Sequence, residues 1–270
     1  MRQNYERPLR FWSLFLGEDM HYHLGHFADQ DISLNDGMRT AVQALIDAAD
    51  GVTLHPRVLD VGSGWGAPAE QLITCLDAFV VCLTNSSRQA RFTQRRLCRT
   101  RAMVYELDVD RNAVPDLEQF DIIWMYESLE HIVDPGRLFR ILNPLTRPGG
   151  KLLIATSCTG DKAHTSLYST HLGVQPLATV ENLQELLRQN GWYPIKIIDR
   201  TDLTLPGWEK WRAGLRRMRS GRFSREAERL ELEFNVVEQL YAAGLLRSFH
   251  VVASPVERAK ASLLNRRENA

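Results

Sequence analysis

The chain has no net charge: 33 Lys and Arg balance 33 Asp and Glu across 270 residues. That balance excludes a generally basic nucleic-acid binder. With 44% of residues hydrophobic and 24% charged, it also excludes a disordered acidic chain. Lysine is scarce, at five of the 33 basic residues. Long apolar runs are missing. The longest, from Ala78 to Leu83, is strand-length and far below the ~18 residues a membrane span needs. The start of the chain lacks the apolar stretch and small-residue cleavage site of a secretory signal. Four cysteines, Cys75, Cys82, Cys98 and Cys158, form no CxxC pair. They read as reduced, buried small hydrophobes of a cytoplasmic protein without a disulfide framework.

What is present alternates. Short apolar runs at 57–61, 79–83, 102–107, 121–126, 151–156, 193–198 and 248–253 read as strands. Helix-period stretches fall at 67–76, 86–99, 135–145 and 180–190, the last closed by Gly191. An earlier helix is expected over 36–49, capped by Asn35 or Asp36. Strands alternating with helices predict an α/β fold, a Rossmann-like, seven-stranded, mostly parallel sheet. The expected layout is an N-terminal lid and helix (1–50), a core (51–205), a helical cap inserted before the last strand (206–244), and the last strand with a tail (245–270).

Val58-Leu59-Asp60-Val61-Gly62-Ser63-Gly64-Trp65-Gly66 runs from strand through a glycine turn into a helix start. Glycines allow positive φ and close backbone approach. A helix N-terminus just beyond offers free N–H groups to an anionic group. The spacing is GxGxG, which is neither the dinucleotide GxGxxG nor a P-loop.

The segment 58–66 resembles the first motif of class I S-adenosylmethionine (SAM) dependent methyltransferases. The resemblance continues in order through LDVDRNAVPD (107–116), FDIIWMYESLEHIVDP (120–135), LNPLTRPGGKLLIA (142–155) and LQELLRQNGWYPIKIID (183–199). GAPAEQL after the turn, TNSSRQARF after strand two and HLGHF near the start are similar to the small-molecule branch, which includes tocopherol, sugar and prenyl-diphosphate methyltransferases and cyclopropane synthases. The resemblance implies SAM as cofactor and S-adenosyl-L-homocysteine (SAH) as product. It places Gly62, Gly64 and Gly66 at the methionine moiety, Asp60 at the loop or the SAM amine, and Asp108 with Val109 at adenine. The acidic residue that usually ends strand two is replaced by Thr84-Asn85, so Asn85 and Gln89 would hold the ribose by neutral hydrogen bonds. A cyclopropane synthase would also want a His at the end of strand five, where this chain has Ala155-Thr156.

For chemistry the candidates are Glu127 at the rim of strand four, His131 in the ESLEH stretch, and His21, Tyr22 and His23 near the start. A near-neutral His suits removal of a proton from a hydroxyl or ammonium acceptor, although LEH recurs among enzymes with unlike acceptors and also reads as structural. His21 and His23 would share one face of a strand, and no Cys or carboxylate spacing nearby completes a metal site, so no metal is expected. Tyr22 and Phe27 would wall a lid, with Trp65 shielding the pocket. Charge is uneven. Residues 102–136 hold nine acidic and one basic residue, and residues 208–229 hold eight basic and three acidic. The basic stretch reads as a solvated helix face or as a cap holding an anionic acceptor.

The expectation is methyl transfer to an N or O acceptor on a small molecule, in natural-product biosynthesis. The alternatives are C-methylation of a prenyl chain or prenyl diphosphate, and a non-catalytic SAM-binding protein. No nucleic acid or membrane span is expected; a homo-oligomer is left open.

Overall fold

A computed structural model describes residues 7–29, 31–115, 117–160 and 179–256. Asp116, at the end of the expected adenine-contacting segment, lies outside them. Among the described residues, two helices, α1 (Leu9–Leu16) and α2 (Leu34–Ala48), precede the first strand. β1 (Arg57–Val61), α3 (Ala67–Leu76), β2 (Phe79–Thr84), α4 (Ser87–Arg96), β3 (Ala102–Glu106) and β4 (Phe120–Tyr126) follow in strict alternation up to β3. A short 3-10 turn (Leu129–His131), α5 (Pro135–Leu142), β5 (Thr146–Thr159), α6 (Val180–Gln189) and β6 (Trp192–Asp199) come next. Two consecutive helices, α7 (Thr201–Arg216) and α8 (Ser224–Ala242), separate β6 from β7 (Leu246–Pro255).

The seven strands form one sheet in the order β3-β2-β1-β4-β5-β7-β6. All pairs are parallel except those of β7, which runs antiparallel to β5 and β6. This is the Rossmann-like, mostly parallel sheet expected from the alternation. β1 sits at the centre because Val58, Leu59 and Val61 are apolar on both faces, as a strand covered on both sides requires. One face packs on Leu138, Phe139, Leu183 and Leu187 of α5 and α6. The other packs on Val42, Leu45 and Leu72 of α2 and α3.

A third core lies beyond the sheet. Phe11, Trp12 and Phe15 of α1 pack with Trp208, Trp211 and Leu215 of α7 and with Phe234 and Tyr241 of α8. Each such aromatic side chain contributes roughly 1.5–3 kcal/mol on burial. Helices α1, α7 and α8 thus form one aromatic unit at the carboxyl end of the central strands.

Several boundaries differ from the sequence reading. α2 starts earlier than 36 because Ser33 caps it. The Ser33 hydroxyl accepts from Asp36 N (3.1 Å) and donates to the Asp36 carboxylate (2.6 Å), a reciprocal cap. β5 reaches back to Thr146 because the register slips between Phe120 and Ile122, leaving Pro148-Gly149-Gly150 as a bulge inside the strand. Pro206 lies inside α7 and does not open it. Asp199 ends β6 by accepting from Thr201 N (2.9 Å) and Thr201 Oγ1 (2.6 Å), which starts the helix there. The hydrogen bond lost at Pro206 is offset by burial of Trp208 and Trp211 just after it. The segment holding His21 and His23 is not a strand. Instead His26 N bonds Gly37 O (2.8 Å) and Phe27 N bonds Leu203 O (2.7 Å), so its main chain is pinned to α2 and α7 as irregular backbone. Cys82 and Cys158 are buried, but Cys75 and Cys98 are exposed, since the last turn of α3 and the turn after α4 face solvent. All four are free thiols.

Candidate active site

Where β1, β2 and β4 end at their carboxyl edge, a cavity of about 1000 Å³ opens, counting its mouth. That is the crevice where open α/β sheets bind ligands.

The glycine turn forms its floor. Gly62 N and Ser63 N both donate to Leu83 O (2.9 Å each), which folds the turn back onto β2. Gly62, Gly64 and Gly66 all have positive φ, at +88°, +52° and +78°. Their surroundings differ. A Cβ on Gly62 would meet Ser128 Cβ at 2.3 Å, and one on Gly66 would meet Thr93 Cγ2 at 2.7 Å. Both are glycine because of protein neighbours, and Gly66 does not line the cavity. A Cβ on Gly64 would meet no protein atom closer than Gln89 Nε2 at 3.9 Å. Gly64 is the glycine whose backbone lies open to a ligand.

Asp60 reaches the cavity from the end of β1. It is 1% exposed, and its Oδ2 has no hydrogen-bond partner in the protein. Burial lifts its carboxyl to about 8. An orphaned carboxylate beside an open backbone turn fits a ligand that brings an ammonium group, as SAM does. On the β2 side the Thr84 hydroxyl donates to Gln89 Oε1 (2.8 Å), which turns the Gln89 amide nitrogen toward the glycine turn. Thr84, Asn85 and Gln89 line the cavity as neutral hydrogen-bonding groups. Asp108 and Val109 line it too. Asp108 Oδ1 accepts from Asp110 N (3.2 Å), and Arg137 Nη1 holds the Val109 carbonyl (2.9 Å), so this loop is fixed from behind. These residues suit the amino-acid, ribose and adenine parts of SAM in that order along the cavity.

The other end is built by β4, the turn after it and the N-terminal segment. Tyr22, His23, Tyr126, Glu127 and His131 all line it. His21 does not. It stands behind His23, with its Nδ1 2.7 Å from His23 Nε2. His23 Nδ1 faces the Leu24 carbonyl at 3.0 Å and must carry the hydrogen there. His23 Nε2 is then the acceptor for the His21 Nδ1 hydrogen, so His23 keeps no free lone pair for a substrate proton. Burial holds His21 down to about 3, His23 well below 6.5 and His131 down to about 4, so all three are neutral near pH 7. Burial pushes Tyr22 up to about 12.

Glu127 has a left-handed backbone, φ +50°, uncommon for a residue with a side chain. Its N–H donates to Ala155 O (2.8 Å), and its carboxylate pairs with Arg200. Arg200 is 1% exposed and also donates to Tyr126 Oη (3.1 Å) and to Leu24 O (3.2 Å). Sequence reasoning missed Arg200. It follows the apolar run of β6 and reads there as a solvated charge. It also missed Tyr241, whose hydroxyl bonds Ser157 Oγ (2.5 Å), next to the Ser157 N–H that donates to the Glu130 carboxylate of the ESLEH stretch (2.7 Å).

The basic stretch of the insertion stands elsewhere. Arg212 pairs with Glu209 and Glu238, Arg216 with Glu209 and Glu231, Arg219 with Glu231, and Arg229 with Glu233. None of these arginines lines the cavity. Among the described residues no group of three or more His, Cys, Asp or Glu side chains could hold a metal ion, and no helix is long and apolar enough to cross a membrane.

A sheet of this order, with an orphaned acid and an open glycine at the end of its first strand, has the build of a SAM-dependent methyltransferase, and the relatives agree. Residues 1–190 match the family described as mycolic acid cyclopropane synthetase, and the chain belongs to that family. A 27-O-demethylrifamycin SV methyltransferase of Amycolatopsis mediterranei (strain S699) is 28% identical over 214 residues, covering 72% of this chain and 74% of that one. A phosphoethanolamine N-methyltransferase of Triticum aestivum is 29% identical over 167 residues, covering 60% of this chain but 33% of that longer protein. In structure, a cyclopropane synthase from Mycobacterium tuberculosis superposes with a TM-score of 0.83 at 20% identity, covering 92% of this chain and 95% of that one. A geranyl diphosphate C-methyltransferase from Streptomyces coelicolor A3(2), crystallised with SAH, gives 0.73 at 20% identity, over 94% and 96%. The protein is a SAM-dependent methyltransferase with SAH as the spent cofactor.

Proposed function

We propose that the chain methylates a hydroxyl or amine on a small, uncharged or cationic natural product, within the cytoplasm. The observation that carries this reading is the lining of the cavity. Beside the cofactor end stand aromatic rings, two neutral imidazoles and the Glu127 carboxylate, and no Lys or Arg is found among the described lining residues. A diphosphate or carboxylate acceptor would have no cation to meet it there. That weighs against a prenyl diphosphate and against an anionic acceptor held by the insertion. The reading is also supported by the relative from Amycolatopsis mediterranei, a 27-O-demethylrifamycin SV methyltransferase. Four free thiols, two of them exposed, suit a reducing compartment.

SAM supplies a methyl group on a positively charged sulfur, activated toward attack. The chain's residues hold and align the partners. Asp60 and the open backbone at Gly64 hold the amino-acid end, and Gln89, oriented by Thr84, holds the sugar. Tyr22 and Tyr126 exclude water from the methyl end, which strengthens the remaining electrostatics. Alignment of the acceptor with the methyl group is the main contribution, since in-line displacement needs orientation more than acid–base help. Glu127 accepts the hydrogen bond of the acceptor's O–H or N–H. Burial raises its carboxyl, opposed by Arg200, toward a range useful for taking a proton. His131, held neutral by burial, also lines the cavity.

The test is SAH release from SAM against a panel of hydroxylated polycycles, macrolactones, aromatic amines, carboxylates and prenyl diphosphates. Turnover confined to neutral or cationic O and N acceptors supports the reading. Turnover on the diphosphates or carboxylates alone overturns it.

A further inference from the structure

Arg200 is the most completely enclosed charge near the cavity, yet nothing in the cofactor motifs calls for it. It lies at the junction of β6 and α7, where its N–H donates to Ser248 O (2.8 Å). From there its side chain runs toward the site and divides. One guanidinium nitrogen donates to Tyr126 Oη (3.1 Å) and to Leu24 O (3.2 Å), and the other pairs with Glu127. Tyr126 and Glu127 are the tip of β4, one wall of the cavity. Leu24 belongs to the segment that forms the opposite wall with Met20, Tyr22 and His23. The Leu24 N–H donates in turn to the Glu127 carboxylate. Both backbone polar groups of Leu24 are therefore gripped by the two halves of a single ion pair.

This arrangement is costly to build. A buried guanidinium and carboxylate lose their hydration, and such a pair is often no more stabilising than apolar residues of the same volume. Arg200 Nε has no partner at all, and Glu127 holds a left-handed backbone. Strain and incomplete satisfaction at one place are better explained by a requirement of the site than by stability. A planar fork can hold three oxygens in fixed directions, which a lysine cannot.

We propose that Arg200 is a positioning residue for methyl transfer: it fixes the spacing between the β4 wall and the Leu24 wall, and clasps the latter shut over bound cofactor. The proposal rests on the reading that this cavity takes SAM, which SAH binding to the unaltered protein checks separately.

The experiment uses the full chain and SAH as the probe, with three variants, R200K, R200M and the double variant E127Q/R200M. Three quantities are read: the dissociation rate of SAH by rapid dilution, amide exchange across 20–27 against that of β1 and β4, and the thermal midpoint. Loss of charge-assisted hydrogen bonds is expected to speed SAH release about tenfold or more in R200K, and to speed exchange at 20–27 by a like factor. Exchange in β1 and β4 stays as it was. The double variant removes both buried charges, so it recovers the thermal midpoint lost in R200M while SAH release stays fast. A merely structural ion pair gives the opposite pattern. SAH release within twofold of the unaltered protein in R200K, or recovery of slow release together with the midpoint in the double variant, overturns the proposal. If the unaltered protein does not bind SAH, the cofactor reading itself has failed.

Discussion

Gly64 and Gly66 stand two positions apart in one turn and do different work. Gly66 is hemmed by Thr93, so Gly66→Ala must displace that side chain as well as adopt a positive φ. A loss of about 1–3 kcal/mol is expected, read as a lower thermal midpoint, with SAH affinity of the folded fraction kept within a few-fold. Gly64→Ala meets open space in the protein alone. It should lower the midpoint less and weaken SAH binding by about tenfold or more, because the methyl group occupies ligand volume. Equal effects of the two substitutions on binding would contradict these roles. Asp60 carries a second prediction. Raised to about 8, it is mostly protonated at pH 7 in the free protein. An ammonium partner favours its ionised form, so SAM binding at pH 7 should release a proton. Calorimetry in two buffers of unlike ionisation enthalpy measures that release, and Asp60→Asn should abolish it. Asp60, Gly64 and Gln89 were legible as cavity-lining candidates because they lie within short contiguous motifs that carry the family resemblance. Arg200 was not, because its partners lie 73 to 176 residues away in the chain. The partners of His23 were not legible either. Which lone pair is free depends on what His21 and Leu24 face, and no spacing encodes that.

At the scale of elements the two insertion helices are held by charge as much as by their tryptophans. Glu231 of α8 is 7% exposed and pairs with both Arg216 and Arg219. Glu231→Ala would leave Arg216 to Glu209 alone and take the Glu231 partner from Arg219, at a cost of about 1 kcal/mol given their exposure. The midpoint should drop while SAH affinity stays within twofold, since neither arginine lines the cavity. A tenfold loss of affinity would instead favour a basic cap acting on the ligand. Helix and strand types were readable from periodicity throughout the core, and their ends were not. α2 begins at a serine whose capping depends on Asp36, α7 runs through a proline, and β5 contains the PGG bulge. In each case a tertiary contact or a side-chain hydrogen bond decided the end, and neither follows from local apolar pattern.

For the whole molecule, five buried imidazoles set the response to acid. His21, His23, His26, His131 and His250 are all held below 6.5, chiefly by burial. Each is neutral when folded and takes up a proton on unfolding, so its contribution is present above pH 6.5 and lost as pH falls toward the folded value. Asp60, Glu127 and Glu130 are raised and act in the opposite sense, losing their contribution as pH rises through the folded values. The imidazoles outnumber them. The thermal midpoint is therefore expected to fall from pH 6.5 to pH 5, with about two protons taken up on unfolding. A flat or rising midpoint over that interval would show that the histidines are not buried as a group. The zero net charge of the chain hides this, because it treats every histidine as neutral and every carboxylate as ionised.

The bond from Phe27 N to Leu203 O, and the packing of α1 on α7, tie residues near the start of the chain to residues beyond the sixth strand. A ribosome delivers them far apart in time. The central strands can pair while the cavity still lacks one side, and the wall carrying Tyr22 and His23 waits for the insertion to be made. The binding site is thus completed late, and an interrupted chain ending at Asp199 would lack β7 from its sheet and leave the ligand crevice uncovered.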